Sequence, residues 1–337
     1  MKSVTLNSGH QMPMIGLGTW RAQPEDIEKA VEAALNDGYR HIDTAFNYNT
    51  EEPIGKTIKN WISDEKIKRE DLFITTKLPN VGNRPEDVEK FLEMSLKRLQ
   101  MNYVDLYLIH MPFSFWGDPE TFAPLVNEDS TFQLHDDNDI VSTWREMEKQ
   151  VEKGKVKSIG LSNFNIEQIE RICRSSKIKP AVLQIELHAY LQQKELVEQC
   201  KRHDIIVTAY SPLGSPGANS HFISKYNYSL NNFPDILGHP TVRNLAQKYA
   251  KTPGQILLRY SNQRGIVVIP KSLNPNRIKE NIDIYDFELI EDDMQALANL
   301  DKGEEGRIFD FLFFKGVEKH PEYPFKQRLT EDGKRLS

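Results

Sequence analysis

Cysteine is scarce: the 337-residue chain has two, Cys173 and Cys200. Two thiols at that spacing exclude a disulfide-stapled scaffold and a CxxC-type metal site. Each falls in a helix-like segment, where a free thiol reads as a small buried hydrophobe, and a cytoplasmic setting is the simplest fit. Long apolar runs are missing too. No stretch reaches the roughly 18 residues of a membrane span, and the opening MKSVTLNSGH has no apolar core of an export signal. The sequon at Asn227 is therefore expected to go unused. Nor is there an excess of basic charge. Against 43 Lys and Arg stand 49 Asp and Glu, interspersed, for a net charge of -6. A nucleic-acid surface is not expected, while a local basic pocket for a phosphorylated ligand stays open. The nine histidines form no HExxH pattern, and no metal is expected.

What the chain does have is alternation. Strand-like runs occur at 14–18, 39–43, 71–78, 104–110, 156–162, 181–187, 205–210 and 265–270. Amphipathic helical patterns lie between them, one of them running unbroken from TVRNLAQKYA through TPGQILLRYSNQRG. Pro24 and Pro85 sit near helix starts, and Gly38 and Gly154 just past helix ends. Strands alternating with helices imply parallel pairing through right-handed crossovers. Eight such units predict an α/β fold, a closed (β/α)8 TIM barrel in one domain spanning 1–337. An N-terminal hairpin around Ser8 and Gly9 is expected to close its floor. Three segments exceed a minimal barrel: the connections 111–139 and 211–240 and a tail from about residue 300 containing FDFLFF. Loops after the strand C-terminal ends are where a barrel builds its site.

Familiar short motifs fail. GLGTWR (16–21) puts Arg21 where a dinucleotide fingerprint needs its third glycine, GLSNF (160–164) lacks the last glycine of a nucleophile elbow, and IGKT (54–57) lacks the upstream glycine of a P-loop. A positional pattern remains. Asp43, Lys77, His110, Ser162, Asn163, Gln184, Tyr210 and Lys271 each sit at or just after the end of an apolar run, and so near one rim. Tyr48 follows Asp43 by five residues.

A phenol titrates near 10 and donates a proton poorly unless helped. A lysine ammonium beside it favours the phenolate, and a carboxylate keeps the ammonium charged and fixed. Asp43, Lys77 and Tyr48 can form that chain, with His110 bonding a substrate oxygen. With no evident nucleophile or metal, hydride transfer to a carbonyl is the natural partner reaction, and it needs a nicotinamide cofactor. Taken singly, Asp43 with Tyr48 also reads as a turn, Lys77 as a lysine reaching solvent, and His110 as a satisfied rim histidine.

The stretches GLGTW (16–20), GYRHIDTAFNYNTE (38–51), ITTKL (74–78), VDLYLIHMP (104–112), GKVKSIGLSNF (154–164), AYSPLGSP (209–216) and IPKSLNPNRIKENIDIYDFEL (269–289) resemble the aldo-keto reductases, in particular the aldose and aldehyde reductase branch. The resemblance runs from about residue 5 to 300 with the motifs in order. It implies Tyr48 as general acid, Lys77 and Asp43 as its tuning pair, and His110 as the residue orienting the carbonyl. It implies an NADPH/NADP+ site in which Thr19, Trp20 and Asp43 lie near the cofactor. Ser162, Asn163 and Gln184 hold the nicotinamide carboxamide, and Tyr210 stacks on the ring. Ser211, Leu213 and Ser215 cover the pyrophosphate, Lys271, Ser272 and Arg277 take the 2′-phosphate, and Glu280 and Asn281 contact adenine. The substrate side is implied to include Trp20, Asn47, His110 and Met111. Lysine and arginine together suit a phosphate, although KSLNPNR alone would read as a solvated helix start.

Departures from the family pattern bear on the substrate. Pro79 and Met111 stand where aldose reductase-like members usually carry tryptophan. The long loop brings Phe113, Phe115 and Trp116, and the tail brings Phe309, Phe311, Phe313 and Phe314. A bulkier apolar carbonyl than a simple sugar follows by size and shape. A ketosteroid- or ecdysteroid-type reductase with the same machinery is one alternative, and a non-catalytic barrel is another. A monomer acting on a small carbonyl, free of membrane and nucleic acid, is expected.

Overall fold

The computed structural model describes residues 2–226 and 234–325, and Asn227 lies outside them. A hairpin comes first, with β1 (Ser3–Thr5) antiparallel to β2 (Gln11–Pro13) and its turn relieved by Gly9 at φ 84°. Eight parallel strands follow in sequence order: β3 (Leu17–Gly18), β4 (His41–Asp43), β5 (Phe73–Leu78), β6 (Val104–Ile109), β7 (Val156–Ser162), β8 (Val182–Glu186), β9 (Ile206–Tyr210) and β10 (Val267–Val268). The first and last meet. Ile15 bridges Val268, and the Gly16 and Gly18 N–H groups donate to the carbonyls of Val268 and Pro270. Closure needs a bare backbone at Gly18, where a Cβ would lie 2.6 Å from the Ile269 carbonyl oxygen. The expected (β/α)8 barrel is the fold.

The hairpin plugs the floor as the sequence suggests. Leu6, Met12 and Met14 bury against Phe73, Leu106, Leu108 and Val267, and Asn7 donates to the Pro180 carbonyl. Around the sheet run α1 (Pro24–Asn36), α2 (Glu51–Ser63), α3 (Pro85–Leu99), α4 (Ile140–Glu152), α5 (Ile166–Ser175), α6 (Lys194–Arg202), α7 (Ala218–Tyr226), α8 (Pro240–Tyr249), α9 (Pro253–Gln263), α10 (Pro275–Ile282) and α11 (Glu291–Ala298). Pro24 and Pro85 open α1 and α3, and Gly38 and Gly154 take the left-handed φ of 89° and 72° that ends α1 and α4. Cys173 and Cys200 are buried.

Two expectations need correction. The single helix read through 241–265 is two helices. Ala250 turns left-handed at φ 51°, and Thr252 caps a new helix whose first residue is Pro253, which cannot donate into the old one. The connection after β9 is not wholly loop, since it contains α7.

His41 sits at 0% exposure under the floor, its Nδ1 3.3 Å from the Pro13 carbonyl oxygen and its ring edge-on to Phe73. Burial lowers its pKa to about 4. Between that value and the ordinary 6.5 the unfolded chain binds a proton that the folded one refuses, so stability rises with pH across this window. Acidification through it should remove on the order of 3 kcal/mol. Melting temperature followed from pH 7 to 4 should drop, and His41→Gln should flatten that drop; an equally steep fall in the variant would contradict the assignment.

Candidate active site

The site is assembled where β4 and β5 end. Asp43 closes β4, opposite Thr75 in the parallel ladder, and Lys77 is the penultimate residue of the neighbouring β5, two residues beyond Thr75. Lys77 Nζ donates to Asp43 Oδ1 at 2.5 Å and to the Thr44 carbonyl at 2.8 Å, with side-chain exposures of 0% and 3% for the pair. Asp43 Oδ2 accepts from Gln184 Nε2 at 2.7 Å, so the carboxylate is fixed from a third strand. Isolated burial of either charge would be prohibitive, and mutual pairing is what makes both tolerable.

Tyr48 comes from a 3-10 turn (Phe46–Tyr48) that Asn49 reverses at φ 56°. Its ring lies 5.0 Å from Lys77 Nζ and 5.7 Å, edge-on, from the His110 ring. Burial, and then the charge of Asp43, push the phenol well above its ordinary range, so it is protonated at neutral pH. The downward pull expected from Lys77 does not prevail here, because burial and the charge of Asp43 act in the other direction. Burial and then Lys77 hold His110 well below its usual value, which leaves the imidazole neutral.

Thr50 does not cap α2 with its side chain. Its backbone is already helical, and its hydroxyl lies 2.9 Å from that of Thr44 and 3.3 Å from that of Thr19, which donates to the Asp43 carbonyl. These three buried hydroxyls lock the loop behind the ion pair.

A second set lies on the floor of the same cleft. Tyr210 Oη donates to Asn163 Oδ1 at 2.8 Å, and Asn163 Nδ2 lies 3.0 Å from the His110 carbonyl, 3.1 Å from Ser162 Oγ and 3.3 Å from Met111 Sδ. Asn163 holds this pose at a left-handed φ of 64°. Ser211 and Ser215, at φ 52° and 47°, join hydroxyls at 2.8 Å across Gly214.

One cavity of about 830 Å³ is lined by Asp43, Tyr48, His110, Asn163, Gln184 and Tyr210, with Lys77 buried behind Asp43. Its lining also includes Leu213, Lys271, Ser272, Arg277 and Asn281, and Thr19, Trp20, Asn47 and Met111. Among the described residues, Glu280 does not line it.

Three features escaped the sequence. Arg21, seen there only as a failed glycine, faces Lys271 and Arg277 in the cleft and donates to the Gly217 carbonyl at 2.9 Å. Burial, and then Arg21 and Arg277, pull the Lys271 ammonium below its usual value, with Asp26 opposing. Such mutually repelling cations suit a phosphorylated ligand. His221, Phe222 and Tyr226 of α7 line the cleft together with Phe309, Phe313 and Phe314. Phe222 and Phe313 stand 4.8 Å apart by ring centroids. Arg98 also reaches the cavity, stacked at 4.0 Å on Phe46 and 3.4 Å from the buried Glu51.

The aldo/keto reductase family model matches residues 14–302. The chain is 43% identical over 328 residues to aldo-keto reductase family 1 member A1 of Gallus gallus, covering 96% of this chain and 97% of that protein. It is 42% identical over 328 residues to the Homo sapiens protein of the same name, with the same two coverages of 96% and 97%. Among solved structures, the aldose reductase of Schistosoma japonicum superposes with a TM-score of 0.86 at 41% identity, over 97% of this chain and 99% of that one.

Proposed function

We propose, for a chain that belongs to the aldo/keto reductase family, NADPH-dependent reduction of aldehydes and ketones with Tyr48 as the proton donor. The observation that carries the reading is the buried Lys77–Asp43 pair set beside a protonated phenol and a neutral imidazole at one cleft. NADPH, when bound, supplies the hydride. Tyr48 gives its proton to the carbonyl oxygen as negative charge grows there, and His110 donates a hydrogen bond to the same oxygen. Lys77, held against Asp43, offsets the charge left on the phenolate. Gln184 ties the carboxylate to the shelf of Ser162, Asn163 and Tyr210 that would carry the nicotinamide. In the same reading the chain is a single catalytic unit that works as a monomer in the cytoplasm.

The donor set fits a phosphorylated dinucleotide. Ser211, Leu213 and Ser215 would cover the pyrophosphate, with Asn281 toward the adenine. Lys271, Ser272 and Arg277 would take the 2′-phosphate, and Arg21 adds a third cation. Replacing Arg277 by Ala removes one charge-assisted contact, and the KM for NADPH should rise by about 10- to 100-fold. The KM for NADH should barely move. Equal changes for both nucleotides would sink the NADPH assignment.

The aromatic wall favours a bulky apolar carbonyl. Trp20, Phe309, Phe311 and Phe313 leave little for a sugar hydroxyl to bond on their side. They leave a ketosteroid-type substrate as the second reading. Steady-state rates with NADPH on short aldehydes, aldoses, aromatic aldehydes and 3-ketosteroids decide between them. Best efficiency on an aldose would overturn the apolar assignment. A non-catalytic barrel would have no reason to keep the acid, its ion pair and the imidazole together.

A further inference from the structure

A buried carboxylate that takes no part in the chemistry lies two residues beyond Gln184. Alternation along a strand puts Gln184 and Glu186 on the same side of β8. Gln184 reaches Asp43, whereas Glu186 reaches the tail. Glu186 Oε1 accepts from the Ile308 N–H at 2.7 Å and lies 2.9 Å from His188 Nε2, and Oε2 accepts from the Phe309 N–H at 2.8 Å. Both the Glu186 and the His188 side chains are at 0% exposure. Burial pushes the carboxyl up, but His188, Arg307 and the Ile308 amide together hold it below its usual range. The tail is pinned upstream as well, since a Cβ on Gly306 would lie 2.0 Å from the Tyr190 carbonyl oxygen.

What is pinned matters more than the pin. The Phe309 ring stands 5.7 Å from Trp20, 5.9 Å from Tyr210 and 5.7 Å from Phe222 by centroids. It thereby joins the first strand's loop, the β9 end and α7 on the aromatic side of the cleft. Phe311 and Phe313 follow two and four residues on.

We propose that Glu186 is a positioning residue for substrate selection. Its carboxylate bolts the Ile308 and Phe309 amides to the end of β8, and so sets the aromatic wall against which a bulky apolar carbonyl packs. This rests on the carbonyl-reductase reading for its substrates but not for its geometry. A carboxylate suits the task because it accepts from both amides at once. A carboxamide offers one acceptor oxygen and turns an NH2 group toward an N–H, so Glu186→Gln keeps the shape and breaks the tether.

The test compares wild type and Glu186→Gln on propanal and on 2-naphthaldehyde with NADPH. The KM for naphthaldehyde should rise about tenfold or more, as for a hydrophobic wall displaced, while kcat for propanal and the Kd for NADPH stay within about twofold. Phe309→Ala should reproduce the naphthaldehyde effect, and the double variant should be no worse than Phe309→Ala alone. Glu186→Asp, which keeps the charge and shortens the reach, should move the same way by less and covers the case in which the carboxamide fails to fold. Equal losses on both aldehydes, or additive losses in the double variant, would overturn the inference. If wild type reduces neither aldehyde, the enzymatic reading fails instead. Calorimetric binding of 2-naphthalenemethanol then still decides the tether, with about tenfold weakening expected in Glu186→Gln and unchanged binding contradicting it.

Discussion

Tyr48→Phe should lower kcat by about a thousandfold while leaving the Kd for NADPH within about twofold. The substitution removes one oxygen and keeps the ring that packs edge-on to His110. The cleft's shape and the cationic end at Lys271 and Arg277 are untouched, so nucleotide binding should persist. What is lost is the only step assigned to the phenol, delivery of a proton to an oxygen gaining charge. His110 is no substitute donor of a full proton, because burial and Lys77 keep it neutral at working pH. Stopped-flow single turnovers, together with fluorescence titration of NADPH, separate the two effects. Turnover that survives in the variant would move the acid elsewhere.

Lys77→Met should be nearly as damaging, for a different reason. Removing one partner of a buried ion pair leaves the other charge unpaired, at a cost of about 3–5 kcal/mol. Asp43 would retain only the Gln184 amide as a side-chain donor, and the Thr44 carbonyl would lose the ammonium as well. Denaturant unfolding should show that loss, with kcat falling alongside because nothing then offsets a charge on Tyr48. Adding Asp43→Asn should restore much of the stability, since the orphan charge is gone, but none of the activity. That split distinguishes a pair kept for chemistry from one kept for folding. Full stability in Lys77→Met alone would show the pair to be looser than its 2.5 Å contact implies.

Local signals were legible in the sequence. Strand ends announced themselves through apolar runs stopped by Asp43, Ser162 and Tyr210, and the helix boundaries at Pro24, Gly38, Pro85 and Gly154 follow from what proline and glycine permit. The barrel follows from the alternation itself, because parallel neighbours need crossovers. Tyr48 could be suspected from its distance to Asp43, and Lys77 and His110 from their places at neighbouring strand ends.

What stayed hidden depends on contacts between distant segments. Arg21 joins Lys271 and Arg277 only once β3 meets β10. Thr50 has the residue type of a cap, yet Thr19 and Thr44 claim its hydroxyl. Glu186 looks like one more strand-end carboxylate until a tail more than a hundred residues later arrives with two free amides. The phenol's upward shift also needs the fold, since it comes from burial first and then from the charge of Asp43. Helix α7 was obscured because its sequence, ANSHFISKY, shows little apolar periodicity.

The most direct test of the central claim is a stoichiometry. Wild-type protein mixed with NADPH and an aromatic aldehyde should consume the nucleotide and yield the corresponding alcohol mole for mole, with Tyr48→Phe binding NADPH but producing neither change. Tight NADPH binding by the wild type without alcohol formation, across the whole carbonyl panel, would contradict it.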